Sequence, residues 1–201
     1  MSEELAPEPA MPSLPFIPQT TLDQLIRAGD DTWREYQAGG NARYHHFVPS
    51  DHFGAYGHLR GMRAKASTFL ELGSGAGVAT IIADLLGFDA YGIEIEPWLV
   101  EQSIDLAEEF DSSATFAEGT FVVPEYLDEF EHLPSDIVTP TDGADAFEEI
   151  GLDFSDFDIV YAYPWPGEED WLRELVRRHA RPEAQLLTYH PDGGFQVRDA
   201  K

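Results

Sequence analysis

Cysteine is absent from the 201 residues, which excludes disulfide frameworks, thiolate metal sites and cysteine nucleophiles. Positive charge is scarce: 12 Lys and Arg stand against 38 Asp and Glu, a net charge of −26. Between Lys65 and Arg173 there is no base at all, while 26 of the acids fall in residues 66 to 172; the flanks, with 12 acids and 12 bases, are neutral. Binding to DNA or RNA draws on clustered Lys and Arg that release counterions, so no nucleic-acid partner is expected. Such a field attracts neutral or cationic small molecules and basic peptides; adaptation to salt, or plain solubility, is the other explanation for it. Long apolar runs are missing too. The longest, near IIADLLGF, is too short for a bilayer and is interrupted by Asp84, so no membrane association is expected. The start, MSEELAPEPAMPSLPF, carries acids where a signal peptide carries bases, which makes the cytoplasm the expected location.

What the chain does contain is a folding composition, 43% hydrophobic and 12% aromatic, at a length that suits one domain. Residues 1–19 hold five prolines and read as a loose tail. Residues 20–66 read as N-terminal helices that cap a pocket. The first runs from Thr21 with Leu22, Leu25, Ile26, Trp33 and Tyr36 on its pattern and Thr20 or Thr21 as cap, ending at Gly39-Gly40; the second is GAYGHLRGMRAKA. Residues 67–201 read as the main domain, where strands and helices alternate. STFLEL, DAYGIEI, ATFAEGTF, FDIVYAY and AQLLTYH are the strands; VATIIADLL, PWLVEQSIDLAEEF and EEDWLRELVRRHA are helices, and residues 124 to 156 are acidic and irregular apart from a short helix at ADAFEEI. The expected fold is therefore α/β: a doubly wound, mostly parallel sheet with helices on both faces and an N-terminal helical extension.

The most informative run is Glu71-Leu72-Gly73-Ser74-Gly75-Ala76-Gly77, which follows a strand and opens a helix. Its glycines permit a tight turn and close backbone approach to a nucleotide at the ends of parallel strands. Glu94 ends the next strand, 21 residues beyond Gly73, where a carboxylate can accept hydrogen bonds from both ribose hydroxyls. Two features argue against a dinucleotide. Val78 stands where the third glycine of that fingerprint would be, and Glu71 would set a carboxylate beside a pyrophosphate. S-adenosylmethionine has no phosphate, and its sulfonium and ammonium groups favour a carboxylate nearby. A dinucleotide-dependent oxidoreductase stays as the less favoured alternative.

ELGSGAG followed by YGIEIEP resembles the opening of the class I S-adenosylmethionine-dependent methyltransferases, over roughly residues 47 to 190. The resemblance implies that Glu71, Gly73, Ser74, Gly75 and Gly77 wrap the methionine part of the cofactor. It also implies that Glu94 holds the ribose, with Ile95 and the Gly119-Thr120 turn beside the adenine. The FVPSD stretch is similar to an upstream segment that closes over the cofactor. FDIVYAYPWP falls where amino-group methyltransferases carry Asn/Asp-Pro-Pro-Tyr/Phe. Tyr163 replaces the Asn or Asp that orients the amine, so a nucleobase amine is not supported.

Methyl transfer to an activated sulfonium needs mainly positioning and desolvation, with a base only if the nucleophile arrives protonated. The catalytic candidates are Tyr163, Trp165, which could stack on a flat or cationic substrate, and His190 after strand five. Glu168 and Glu169 are further base candidates, though they also suit a helix N-terminus. His45, His46, His52 and His58, with Asp51, lack metal-ligand spacing, so no metal is expected and they read as lining a pocket. The family's sheet ends in an antiparallel hairpin, but only the eleven residues PDGGFQVRDAK follow His190, room for one short strand. Either the C-terminal hairpin is lacking or a second copy covers the exposed edge as a homodimer. A methyltransferase acting on a small-molecule or protein acceptor is the expected function; a non-catalytic protein that binds the cofactor or a partner is the alternative.

Overall fold

The computed structural model describes residues 15–39, 50–124, 126, 138–141 and 143–201. The helical extension comprises α1 (Gln19–Ala38) and α2 (His52–Met62). Then follow β1 (Thr68–Leu72), α3 (Val78–Leu85), β2 (Asp89–Glu94), α4 (Pro97–Glu109) and β3 (Thr115–Glu118). After them come α5 (Ala146–Ile150), β4 (Ile159–Ala162), α6 (Glu169–His179), β5 (Gln185–His190) and β6 (Gly194–Asp199).

The six strands lie in the order β3-β2-β1-β4-β5-β6, all parallel except β6, which runs antiparallel to β5. The eleven residues after β5 thus form one strand, joined to it by a turn at Pro191–Gly193. Both faces of the central strands are buried, and alternate residues feed opposite cores. Phe69, Ile159, Tyr161 and Leu187 meet α1 to α4 through Leu25, Leu59, Ile81 and Val100. Leu70, Leu72, Val160 and Leu186 meet α5 and α6 through Phe147, Trp171, Leu175 and Val176. Each fully buried Leu or Phe contributes about 1.5–3 kcal/mol.

The register of the central pair, Phe69↔Ile159 to Leu72↔Ala162, is clamped at its start. Asp158 accepts from the Ser67 and Thr68 backbone N–H groups (2.6 and 3.0 Å) and from the Ser67 hydroxyl, and it pairs with Arg181. Strand order reverses between β1 and β4: the chain leaves β1 toward β2 and β3, then returns to β1's other side. Open α/β sheets hold ligands outside the carboxyl ends of the strands at such a switch.

Element ends differ from the sequence expectation in ways the caps explain. The α1 helix begins at Gln19 after Pro18, ahead of Thr20 and Thr21. The α2 helix begins at His52 rather than Gly54, because the Asp51 side chain accepts from the Gly54 N–H at 2.9 Å and caps it two residues earlier. It stops at Met62, so Arg63 to Ala66 are not helical. The third strand is only Thr115–Glu118, because Gly119 turns the chain with φ at 152°. Most of the proline-rich start, the Gly40 helix stop, His45, His46 and Phe47, and residues 127–137 lie outside the described residues.

Candidate functional site

The glycine loop sits at the switch point, and the N–H groups of Gly73, Ser74, Gly75 and Gly77 are spent within the protein. The N–H groups of Gly73 and Ser74 both donate to the Ile93 carbonyl at 2.9 Å, and that of Gly77 to the Ser74 carbonyl at 2.8 Å. The Gly75 N–H donates to Glu94 Oε2 at 2.8 Å. Gly77 has φ at 73°, and a Cβ there would lie 2.7 Å from the Phe116 ring and 2.8 Å from Ser103 Cβ. Gly77 is therefore required for α4 and β3 to pack under the loop.

Glu71 is buried and turns toward α3, where its Oε2 accepts from the Thr80 N–H (3.0 Å) and hydroxyl (2.6 Å). It thus occupies the helix N-terminus where a phosphate would otherwise sit. Burial pushes its carboxyl up to about 8 against those two bonds, and the charge of Glu94 pushes the same way. Glu94 is also buried; its Oε1 accepts from the Ile95 and Glu96 N–H groups at 2.8 and 3.0 Å. Burial raises its pKa, opposed by those backbone donors. Oε1 is filled, whereas Oε2, with one protein donor, keeps a lone pair for a ligand hydroxyl.

A cavity of about 490 Å³ opens beside this loop. Its floor is the strand ends, with Leu72, Gly73, Ile93, Glu94 and Ile95; Gly119, Thr120 and Phe121 follow from β3. Tyr163, Pro164, Trp165 and Pro166 follow from β4, Trp171 comes from α6, and Trp33 and Tyr36 project from α1. A recess of about 40 Å³ adjoins it, sharing Trp33, Gly73 and Tyr163 and lined also by Glu71, Ser74, Ser50, His52 and Tyr161. In this recess the Ser74 hydroxyl and His52 Nδ1 are buried with no hydrogen-bond partner among the described residues. Desolvation lowers the His52 pKa to about 4, against the pull of Asp30 and Asp51. Ser50 and Tyr161 share a short hydrogen bond through their hydroxyls, which ties the segment before α2 to β4.

Of the residues singled out from the sequence, Gly73, Glu94, Ile95, Gly119, Thr120, Tyr163 and Trp165 line the cavity, and Glu71 and Ser74 line the recess. Gly75 and Gly77 shape the loop and line neither. His190 lines neither cavity; its Nε2 lies 3.0 Å from Thr188 Oγ1 on its own strand. Desolvation also raises the Tyr163 pKa, with the nearby Tyr189 and Asp192 adding to it. Glu169 accepts from the Gly167 N–H. Glu168 does more than begin α6: it is buried and accepts from the Val138 and Thr139 N–H groups and the Thr139 hydroxyl, fixing part of the cavity wall.

Trp33 and Tyr36 gave no functional signal in the sequence, since an aromatic pair three residues apart on a helix reads as core. Among the described residues no three His, Asp or Glu side chains converge as metal ligands, and no helix is long and apolar enough to cross a membrane.

No family model matches the chain, and no curated protein matches it. Solved structures match its fold. An O-methyltransferase from Bacillus cereus in complex with SAH aligns at TM-score 0.50 with 13% identity, over 86% of this chain and 67% of that one. A hypothetical protein of Thermus thermophilus aligns at 0.52 with 15% identity, over 80% and 90%. An RNA methyltransferase from Salinibacter ruber in complex with S-adenosyl-L-homocysteine aligns at 0.43 with 19% identity, over 86% and 76%, too low a score to carry an argument. The sheet order, the reversal between β1 and β4 and the alignment with the O-methyltransferase give the chain the fold of the class I S-adenosylmethionine-dependent methyltransferases.

Proposed function

We propose that this protein is an S-adenosylmethionine-dependent methyltransferase. One observation carries the choice of cofactor: the N–H groups of Gly73, Ser74, Gly75 and Gly77 all point inward, and Glu71 fills the α3 N-terminus. A dinucleotide needs those groups for its pyrophosphate. A phosphate-free adenosyl ligand does not. The remaining donors and acceptors fit one. Glu94 Oε2 would take a ribose hydroxyl, and Ile95, Gly119 and Thr120 would border the adenine. Glu71 and the unpartnered Ser74 hydroxyl would meet the amino-acid end in the recess.

The bound cofactor supplies an activated methyl group on a sulfonium. The chain's own residues hold the acceptor in line with it and keep water out. Tyr163 and Trp165 line the cavity on a segment stiffened by Pro164 and Pro166, and Tyr163 also borders the recess beside the loop. The acceptor is not a nucleic acid, because 26 acids and no base occupy residues 66 to 172. The β6 edge, half-exposed to exposed along its length, supports pairing with a second copy as a homodimer.

Calorimetric titration with S-adenosylmethionine, S-adenosylhomocysteine and NAD tests the cofactor. The first two should bind in roughly the micromolar range (about −8 kcal/mol) and NAD should give no heat. Glu94→Ala, checked for folding by its thermal melt, should weaken both by about tenfold or more. Heat from NAD alone would turn the assignment to redox chemistry.

A further inference from the structure

We propose that the acceptor is a small, flat, aromatic molecule without negative charge, and that Trp165 is the platform on which its ring stacks; this rests on the methyltransferase reading and narrows it. Among the described residues six aromatic side chains line the cavity. Five already have ring partners: Trp33 and Tyr36 lie 5.5 Å apart, Phe121 and Trp171 stack at 6.4 Å, and Tyr163 meets Tyr189 edge-on at 5.2 Å. Trp165 is half-buried and stacks on no ring among the described residues, although it lines the same cavity. Its backbone is flanked by Pro164 and Pro166, and α6 begins four residues on at Glu169, so the main chain that carries the indole has little freedom left to lose on binding.

Charge sets the rest of the specificity. No Lys or Arg among the described residues lines the cavity, whereas Glu94, Glu96 and Glu168 do. Glu94 and Glu168 are engaged by backbone donors, and the Glu96 carboxylate accepts no capping hydrogen bond from α4. An acceptor carrying a carboxylate or phosphate would be desolvated against like charges with nothing to offset it. A neutral ring, or one bearing an ammonium group, meets a stacking face and a carboxylate. The cavity of about 490 Å³, which opens to solvent on one side, also takes the cofactor, so the space left beside Trp165 suits a small molecule.

Three probes share one ring and differ in charge: indole, tryptamine and indole-3-acetate. Each is titrated calorimetrically into the full chain, with and without saturating S-adenosylhomocysteine. Indole and tryptamine should bind at least about tenfold more tightly than indole-3-acetate. Trp165→Ala should weaken them about five- to a hundredfold, with Trp165→Phe between, and leave the S-adenosylhomocysteine titration unchanged. Indole-3-acetate binding as well as tryptamine, or all three failing while S-adenosylhomocysteine binds, would overturn the proposal. So would a Trp165→Ala protein that binds the probes as before. If S-adenosylhomocysteine fails but the probes keep their order and their dependence on Trp165, the methyltransferase reading falls and with it the role of acceptor, while Trp165 stands as the platform of an aromatic-binding site.

Discussion

Replacing Glu71 with Gln should change how stability depends on pH more than it changes stability itself. Burial raises the pKa of this carboxyl from 4.5 to about 8 against the two hydrogen bonds it accepts from Thr80, and the charge of Glu94 adds to the rise. An acid whose folded pKa lies above its unfolded value binds more protons in the native state. Its contribution is complete below about pH 4.5 and is lost as pH rises through about 8. At 1.36 kcal/mol per unit, integrating between about pH 5 and about pH 8 gives a loss of about 3–4 kcal/mol. Gln keeps the shape, still accepts from Thr80 and cannot ionise. Urea unfolding followed by tryptophan fluorescence, at several pH values and constant high ionic strength, measures both proteins. Acids away from the site contribute equally to both, so the difference reports Glu71 together with its coupling to Glu94. Glu71→Gln should be close to the wild type near pH 5 and more stable by about 3 kcal/mol near pH 8. Parallel curves, with a difference that changes by less than about 1 kcal/mol, would refute the claim that this carboxyl is neutral in the fold.

Two further perturbations follow from other parts of the structure. Gly77→Ala combines a left-handed backbone at φ 73° with a methyl 2.7 Å from the Phe116 ring. It should cost about 2–5 kcal/mol, read as a lower urea midpoint with unchanged slope; a loss under about 1 kcal/mol would mean that the loop relaxes freely. Raising sodium chloride from about 0.1 M to about 1 M shortens the screening length from about 10 Å to about 3 Å. With a net charge of −26 unbalanced in one segment, the melting temperature should rise by about 5 °C or more, and a flat response would show that the carboxylates do not strain the fold.

Much of this architecture is legible in the residues because it rests on local signals. Strand and helix alternate in the pattern that gives a parallel sheet, and the glycine loop and Glu94 come together at the carboxyl ends of β1 and β2. The irregular ends were legible only in part. Asp51 starts α2 through a side-chain bond that the sequence equally allows as loop. The site was harder to read, since its walls are assembled from far apart. Trp33 and Tyr36 reach the cavity only through the packing of α1 on α4. Glu168 reads as a helix-start acid, and its hold on Val138 and Thr139 reaches back about 30 residues, across α5 and β4. Glu94 reads as a ribose ligand with two free oxygens, yet one is filled by the N–H groups of Ile95 and Glu96, a detail of backbone geometry. His190 has the right place in the chain, but its ring stays beside Thr188.

The position of β1 in the sheet also sets a timetable for synthesis. Its pairing with β2 completes once the chain reaches Glu94, but its other edge waits for β4, which follows β1 by about 90 residues, the separation of Thr68 and Asp158. At about 5–20 residues per second, Phe69, Leu70 and Leu72 are held on an open strand edge for about 5–20 s of translation. An apolar edge exposed for that long is a template for pairing with other chains. The protein's yield in a cell therefore depends on what covers that edge on the ribosome until β4 emerges and Asp158 clamps it.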